Sequence, residues 1–375
     1  MFIGLDAREI QNGVITGIGR SLSNFIKYFG NNEFRHNLIL FSERELSIKN
    51  KNSNIRNVTL KAGSTFLWDQ LELPKYLKNF NIDLFYSPYY KIPFFSNIPT
   101  VSQILDLMFL IHPHYKKNLT LFQRFFYASV GRAFARKSLS IITDSEHAKY
   151  DIIKLWNVNP KKIVVIPLGL AKFYEPVRDR KLLFQVQKKF GLPKKYILYL
   201  GNFKPHKNVS SLIKAFEIVE KKFPKYKLVL AGTLDKHGEQ IKNYVVRQGL
   251  ENKVIFTNTV TVKDHPEAIF SMADVFVFPT LYEGFGLPPL EAMACGTAVV
   301  ASNRTSVPEV IGDAGVLIDP LNIEQLSGAI SNLLENPEIR AIYSKKGIQR
   351  AQRFKERNTA GRLYEHIISL LEGIK

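Results

Sequence analysis

Short apolar runs alternate along the chain with longer segments whose apolar residues recur at helical spacing. The first series of runs lies at 2–5, 37–41, 84–86, 100–104, 139–143 and 163–166, and the second at 196–200, 227–231, 254–256, 275–278, 298–301 and 315–318. Runs of this kind are typical of strands in a parallel sheet, and the segments between them fit crossover helices. The pattern therefore predicts an α/β protein with two doubly wound, Rossmann-like domains.

The two series are separated by a stretch without a clear strand between Gly169 and Gly191, which includes a charged segment at 178–181. Such a composition is typical of a domain boundary. We predict an N-terminal domain at 1–170, a linker at 171–190 and a C-terminal domain at 191–355. The pattern is helical from residue 323 onward, and we expect the last helix, about 356–375, to pack back onto the first domain.

Composition indicates a folded protein, because the 375 residues are 45% hydrophobic and 23% charged. The single cysteine, Cys295, cannot form an internal disulfide, and no leader-like segment or run of 18 apolar residues is present. We therefore expect a cytoplasmic location. The net charge of +19 favours an anionic partner. Because the basic residues are spread over both halves of the chain rather than gathered on one module, nucleic acid is the least favoured anionic partner.

A glycine-rich segment after the run 275–278 carries the strongest chemical signal. It reads Tyr-Glu-Gly-Phe-Gly-Leu-Pro-Pro-Leu-Glu from 282 to 291. Gly284 and Gly286 allow close backbone approach, and prolines suit the first helical turn, so free N–H groups should face an anion such as phosphate. Carboxylates accept hydrogen bonds from hydroxyls, so Glu283 and Glu291 beside a phosphate indicate a sugar nucleotide. By itself, the spacing is equally compatible with a turn glutamate and a helix-start carboxylate.

This segment resembles the signature of the family 4 retaining glycosyltransferases of the GT-B fold. Further segments occur in that family's order: Asp-Ala-Arg at 6–8, Thr-Gly-Ile-Gly-Arg at 16–20, Trp-Asp-Gln-Leu at 68–71, Ser-Pro-Tyr at 87–89, Thr-Asp-Ser at 143–145 and Gly-Asn-Phe-Lys-Pro-His-Lys-Asn at 201–208. The resemblance thus covers nearly the whole chain. It implies a two-domain enzyme that transfers a hexose from a nucleotide diphosphate sugar, which is a substrate rather than a cofactor.

The resemblance also implies roles for individual residues. Glu283 would contact the hydroxyls of the donor sugar, Glu291 would bind the ribose, and Lys207 would offset the charge of the departing diphosphate. The backbone amides that bind the sugar and the diphosphate would come from Gly284, Phe285, Gly286 and Leu287. Thr259 and Val260 would contact the base mainly through their backbone, and Gly17 and Gly19 would belong to a loop, 13–19, that closes over the diphosphate.

Three positions depart from the family pattern. Asn202 and His206 stand where many members have an arginine, so a bidentate grip on phosphate is replaced by weaker donors. Leu105 precedes Asp106 where members commonly have a histidine near the reacting sugar, and leucine has no hydrogen-bond donor. Asp106 would keep its structural or acceptor-side role. These departures leave the donor sugar open and motivate the alternative of a catalytically weak subunit that binds a sugar nucleotide or glycan.

No Asp-x-Asp sequence is present to hold a divalent cation, so we predict metal-independent transfer. In this family, retention is explained by attack of the acceptor on the face from which the nucleotide leaves, and Glu283 is then not a nucleophile. GDP-mannose is the first choice of donor, because the Asp-Ala-Arg and Thr-Gly-Ile-Gly-Arg segments resemble mannosyltransferase members. UDP-glucose and UDP-N-acetylhexosamine remain open.

Residues between Asp106 and Asp144 include six lysines and arginines but no acidic residue. The basic residues are interleaved with aromatic ones, which suits either the surface of an anionic membrane, through 108–137, or a core helix with a basic side. A nearby aromatic group at Tyr86, Tyr89, Tyr90, Phe94 and Phe95 could line an acceptor groove. The acceptor that fits both features is a glycan or lipid-linked saccharide, as in lipopolysaccharide and other surface polysaccharide biosynthesis.

Overall fold

The apolar runs form parallel strands in two separate sheets. The computed structural model describes residues 1–10, 17–32, 34–46, 54–257 and 259–374. The first sheet contains β1 (Phe2–Asp6), β2 (Asn37–Ser42), β3 (Ile55–Thr59), β4 (Leu84–Ser87), β5 (Thr100–Gln103), β6 (Ser140–Thr143) and β7 (Ile163–Val165). The second contains β8 (Tyr196–Leu200), β9 (Lys227–Ala231), β10 (Val254–Thr257), β11 (Val275–Phe278), β12 (Ala298–Ser302) and β13 (Val316–Ile318).

Apart from residues 88–99, which join β4 to β5 without a helix, most of the crossovers that parallel pairing requires are made by helices. They are α1 (Gly17–Gly30), α2 (Thr65–Leu67), α3 (Leu73–Asn79), α4 (Met108–Ile111), α5 (Pro113–Asn118), α6 (Leu121–Lys137), α7 (Glu146–Trp156), α8 (Arg180–Phe190), α9 (Val209–Lys222), α10 (Lys236–Arg247), α11 (Pro266–Met272), α12 (Leu287–Ala294), α13 (Val307–Ile311), α14 (Ile323–Glu335), α15 (Pro337–Ala351) and α16 (Glu356–Gly373). A π-helical turn at Trp68–Glu72 joins α2 to α3.

The first compact unit comprises Met1–Gly169 together with Glu356–Lys375. Its strand order is β3-β2-β1-β4-β5-β6-β7, so the direction of winding reverses between β1 and β4. One face of this sheet is covered by α1 and α16, whose apolar residues share a core with β1, for example Phe25, Ile367 and Leu5. The last helix of the chain is thus part of this unit.

The second compact unit comprises Leu170–Lys355. Its strand order is β10-β9-β8-β11-β12-β13, and here the winding reverses between β8 and β11. Tyr196, the first residue of β8, links this sheet to α11, since its buried hydroxyl donates to the Ile269 carbonyl over 2.6 Å. Both units therefore have the doubly wound parallel architecture predicted from the sequence, with a reversal point in each sheet.

Three local predictions need correction. β3 was not predicted, because the edge strand Ile-Arg-Asn-Val-Thr is only partly buried and lacks an apolar run. The segment predicted as a linker, 171–190, contains α8, which begins at the N-cap Asp179 and ends at Gly191 with φ 61°. Gly17 and Gly19 lie in the first turn of α1 rather than in a closing loop. The remainder of the predicted loop, 13–16, is outside the described residues.

Candidate functional site

Lys207 and Glu283 lie on the loops that follow β8 and β11, the two strands between which the second sheet reverses its winding. Lys207 ends a 3-10 turn, Pro205–Lys207, and Glu283 precedes the glycine loop. Ligands of doubly wound sheets bind outside the carboxyl ends of the strands at this reversal point. The structure therefore brings the two residues predicted to contact the diphosphate and the sugar to the expected position in the second unit.

The two side chains are bonded to each other. Lys207 Nζ donates to Glu283 Oε1 over 2.5 Å, and the side chains are only 11% and 13% exposed. Thr280 Oγ1 lies 2.9 Å from the same carboxylate oxygen, and the ammonium stands 5.1 Å from the centre of the Phe278 ring. Within the described residues no hydrogen bond reaches Oε2 of Glu283, so this oxygen remains an acceptor for a ligand hydroxyl.

Asn208 fixes the loop that carries Lys207. Its backbone is left-handed, with φ 54°, and its side-chain amide Nδ2 donates to the carbonyls of Pro279 and Pro320 over 3.1 and 2.8 Å. The His206 carbonyl in turn accepts from the Leu281 amide at 2.7 Å. Two loops that are distant in sequence are thereby joined by buried hydrogen bonds, which fix the positions of the lysine and the glutamate.

The glycine loop leads into α12 as predicted. Gly286 is the N-cap with φ 111°, a conformation that favours glycine, and prolines occupy the first turn. Pro288 and Pro289 have no N–H groups, so the donors that lack an intrahelical acceptor at this helix start are the amides of Gly286 and Leu287. Together with the positive end of the helix dipole, these amides can bind an anion. Phe285 is buried against Phe354, with ring centres 5.8 Å apart.

The other predicted donor residues occupy several places around the second sheet. Glu291 is 5% exposed on α12, and burial, followed by the nearby charge of Glu291, raises the pKa of the Cys295 thiol. His206 is buried beside Lys207. Asn202 is exposed, and its Oδ1 accepts from the Lys204 amide. Thr259 and Val260 follow β10, two strands away from β8, where Thr259 Oγ1 lies 2.7 Å from Thr233 Oγ1.

Two hydroxyl residues that the sequence did not single out hold the glutamate loop. Thr305 Oγ1 accepts from the Glu283 amide at 3.1 Å. Ser306 Oγ lies 3.0 Å from the Glu283 carbonyl oxygen and 2.9 Å from that of Phe285. Both residues follow β12, the strand next to β11, so only the fold brings them to this loop.

A second buried polar group lies in the first unit at the end of β1. Arg8 Nη2 donates to Asp6 and to Asp69, in each case over 2.6 Å, and the guanidinium carbon stands 3.7 Å above the Trp68 ring. Burial alone would lower the pKa of Arg8, but hydrogen bonds and charges from the two aspartates raise it. Burial raises the pKa of Asp69, against the opposing effect of Arg8. Two separate segments of the predicted signature, 6–8 and 68–71, thus meet here.

Asp106 follows β5 in the first unit, where its Oδ1 accepts from the Met108 amide at 2.9 Å and begins the turn into α4. Leu105 beside it is half-buried. The predicted aromatic groove needs one correction, because Tyr86 is fully buried within β4 and donates to Gln103 Oε1. Phe95, in contrast, is 74% exposed.

The start of α6 exposes a continuous apolar surface. Leu121, Phe122 and Phe125 are 82%, 74% and 70% exposed, and Phe126 is 45% exposed. Within α6, the buried residues are Gly131 and Ala135, and Ala135 belongs to a core cluster with Trp156, so the second half of the helix packs on the first unit while its start is exposed. None of the helices in the described ranges combines the length and apolarity needed to cross a bilayer. Nor do the described residues contain three grouped His, Cys, Asp or Glu side chains that could hold a metal ion.

Two family models match successive parts of the chain. Residues 15–171 match Glycosyltransferase Family 4, and residues 182–350 match Glycosyl transferases group 1. The chain belongs to the glycosyltransferases that combine these two domains, and its paired parallel sheets are those of the GT-B fold.

Known proteins give a consistent picture of similarity. The chain is 34% identical over 219 residues to the O-antigen chain mannosyltransferase B of Escherichia coli, a match that covers 58% of this chain and 57% of that protein. The chain thus spans little more than half of this relative's length. Sucrose-phosphate synthase from Thermosynechococcus elongatus has a similar fold, with a TM-score of 0.78 at 21% identity over 99% and 100% of the two chains. HepE from Anabaena, solved with UDP and glucose, has a TM-score of 0.76 at 18% identity over 98% and 99%.

Proposed function

We propose that this protein is a retaining glycosyltransferase that moves a hexose, with mannose as the first choice, from a nucleotide diphosphate sugar to a glycan or lipid-linked saccharide. The observation that carries the proposal is the Lys207–Glu283 pair beside the glycine loop and the start of α12. A cation, backbone amides and a carboxylate are the groups that a diphosphate and a sugar require. The similarity to an O-antigen mannosyltransferase supports mannose and surface polysaccharide biosynthesis.

In this proposal the ion pair is exchanged when the donor binds. The diphosphate takes the place of the carboxylate at Lys207, and the sugar hydroxyls donate to Glu283. Lys207 and the amides of Gly284, Phe285, Gly286 and Leu287 then stabilise the charge that develops on the leaving phosphate. Glu291 accepts from the ribose hydroxyls, while Thr259 and Val260 contact the base.

The acceptor hydroxyl attacks from the face that the nucleotide leaves, and an oxygen of the leaving phosphate takes its proton. Asp106 acts on the acceptor side. Glu283 orients the sugar and forms no covalent bond to it, so mass spectrometry of the intact protein after incubation with donor should detect no glycosyl adduct. A trapped adduct on Glu283 would contradict this mechanism. Transfer is proposed to be independent of metal ions and should persist in EDTA.

The donor class is tested by thermal unfolding in the presence of GDP, UDP, GDP-mannose, UDP-glucose and UDP-N-acetylglucosamine. A ligand that binds the native state raises the apparent unfolding temperature. We expect one nucleotide series to do so, with the increase lost in Glu291→Ala but retained in Glu324→Ala, an exposed glutamate at the start of α14. No increase with any nucleotide would contradict the proposal. Binding without donor hydrolysis or transfer would instead favour the catalytically weak subunit.

We further propose that the start of α6 docks on an anionic membrane, which would place the protein at the inner face of the cell membrane. The exposed side chains Leu121, Phe122 and Phe125 provide apolar contact, and the segment 107–143 contains no acidic residue. Each basic residue near an anionic surface contributes roughly 1 kcal/mol, and stable peripheral binding needs such charge together with apolar insertion.

Sedimentation with vesicles of phosphatidylglycerol and phosphatidylethanolamine tests this surface. We expect binding that weakens as salt rises, and that falls several-fold both in the double variant Phe122→Ser/Phe125→Ser and in Lys116→Gln/Lys117→Gln. Phe184→Ser is the matched control, because Phe184 is 65% exposed on α8 in the second unit. Absence of binding at low salt, or self-association that the Phe122→Ser/Phe125→Ser variant abolishes, would contradict membrane docking.

A further inference from the structure

Thr305 has a backbone conformation that its side chain disfavours. Among the described residues, the non-glycine residues with positive φ are three asparagines, one histidine and Thr305, which has φ 57°. Asparagine and histidine tolerate the left-handed region, but a β-branched residue there is an outlier, because its Cβ substituents crowd the backbone. Such strain persists where surrounding structure enforces it, and it concentrates at functional sites.

The strained turn has a definite structural effect. The turn between β12 and α13 combines Thr305 in the left-handed region with Ser306, at φ −79°, in the right-handed helical region. From this turn the hydroxyls of Thr305 and Ser306 both reach the loop of Glu283. Glycine would adopt the same φ without strain but would supply no hydroxyl. The hydroxyl group is therefore the feature that a threonine adds at this position.

The backbone and the side chain of Glu283 are held by different residues. Its amide donates to Thr305, its carbonyl lies 3.0 Å from Ser306 Oγ, and its side-chain Oε1 contacts Lys207 and Thr280. When a donor displaces Lys207, the side chain loses its ionic partner, whereas the contacts with Thr305, Ser306 and Thr280 can remain. The hydroxyl contacts can thus keep the carboxylate in place in the step for which its position matters.

We propose that Thr305 is a positioning residue for sugar transfer: its hydroxyl, presented by a strained left-handed turn, fixes the backbone of Glu283 so that the carboxylate meets the donor sugar. The proposal rests on the function proposed above for Glu283. It assigns to Thr305 an effect on the reacting geometry that is separate from its effect on stability, because relief of the strain should stabilise the fold while loss of the hydroxyl impairs transfer.

Three substitutions separate the hydroxyl from the strain. Thr305→Ser keeps the hydroxyl and removes the methyl group, Thr305→Val keeps the branched shape without the hydroxyl, and Thr305→Gly removes both. We expect transfer by Thr305→Ser to stay near wild type. We expect both other variants to lose about tenfold in kcat with little change in donor KM, as for an interaction that acts mainly in the transition state. The unfolding temperature of Thr305→Gly should not fall below that of wild type.

Hydrogen exchange of peptides that contain the Glu283 amide tests the positioning without any need for activity. Exchange should be at least about tenfold faster in Thr305→Val and Thr305→Gly than in wild type or Thr305→Ser, because the amide loses its acceptor. Unchanged exchange, or full transfer by Thr305→Gly, would overturn the proposal. If exchange changes as expected but wild-type protein transfers no sugar, the proposed activity fails and Thr305 positions Glu283 for binding alone, which overturns the transfer role.

Discussion

Lys207 and Glu283 form an ion pair, with Nζ and Oε1 2.5 Å apart in a largely buried setting. Each of them is predicted to contact a different part of the donor, the lysine the diphosphate and the glutamate the sugar. A buried ion that loses its partner is costly. If the donor binds as proposed, the pair keeps either charge from being isolated until a diphosphate and a hydroxylated sugar arrive together.

The first prediction concerns this pair. Lys207→Ala should weaken binding of the nucleotide diphosphate by on the order of 10- to 100-fold, since a hydrogen bond to a charged group contributes about 1.5–3 kcal/mol. Isothermal titration with the nucleotide identified by thermal unfolding measures this change. Lys242→Ala, on the exposed surface of α10, is the control and should bind as wild type does.

The same pair should also be coupled in stability. In a cycle with Lys207→Ala, Glu283→Gln and the double variant, we expect a coupling free energy of roughly 0.5–3 kcal/mol in denaturant unfolding without nucleotide. Additive effects of the two substitutions would mean that the contact contributes nothing to the folded protein.

The second prediction concerns the backbone beneath the donor loop. A Cβ on Gly232, which follows β9, would lie 2.0 Å from the Gly201 carbonyl oxygen at the start of the loop that leads to Lys207. Gly232→Ala must therefore displace backbone, and we expect a loss of about 2 kcal/mol or more in the free energy of unfolding together with weaker nucleotide binding.

Gly328→Ala is the matched variant on α14, because a Cβ there meets nothing within 4 Å. Alanine should raise the stability of this helix by about 0.5–1 kcal/mol. Chemical denaturation of both variants measures the difference. Equal effects of the two substitutions would show that the loop after β8 yields more easily than the close contact implies.

The sequence predicted the parts of the fold that depend on local pattern. The strands β8, β9 and β11 have the predicted bounds because buried parallel strands are apolar throughout. β3 is an edge strand whose alternating polar residues carry a weak signal. α8 is rich in lysine and glutamine, so its few apolar residues were not recognised in the sequence as the face of a helix. Asp179 and Gly191 are nevertheless the expected residues at its two ends.

The candidate site likewise contains residues that local motifs predict and residues that only the fold brings together. Glu283, Gly286 and Lys207 were predicted because they lie in dense local motifs. Thr305 could not be predicted, because its contact with Glu283 depends on a left-handed turn after β12 and on the pairing of that strand with β11. No residue type near position 305 signals either feature in advance.

The third prediction concerns the buried arginine of the first unit. Arg8→Met would leave Asp6 and Asp69, which are 1% and 5% exposed, without their cation. Removal of one partner from a buried ionic group costs about 3–5 kcal/mol, and for a unit of this size we expect the unfolding temperature to fall by roughly 10 °C.

Tryptophan fluorescence measures this effect, because the two tryptophans, Trp68 and Trp156, are both buried in the first unit. Arg35→Met is the control, since its pair with Glu372 is exposed and contributes little. A fall of less than about 2 °C in Arg8→Met would mean that the two carboxylates are hydrated or protonated in the folded protein.

The last prediction uses the single cysteine as a probe of the second unit. Cys295 follows α12, the helix that carries Glu291, and it is 3% exposed. Burial raises the pKa of its thiol, so at pH 8 it is both inaccessible and protonated, and the thiolate is the reactive form. We expect a disulfide reagent to label the folded state negligibly, so that the observed rate of labelling is the rate at which this unit opens.

A nucleotide that binds the second unit should slow labelling in proportion to its occupancy, because it stabilises the closed state by mass action. Glu291→Ala should remove this protection while the labelling rate without nucleotide changes much less. Arg8→Met should leave the rate unchanged if the two units open independently. Rapid labelling of folded wild-type protein would show that α12 opens locally, and protection that survives in Glu291→Ala would place the nucleotide elsewhere than at this helix.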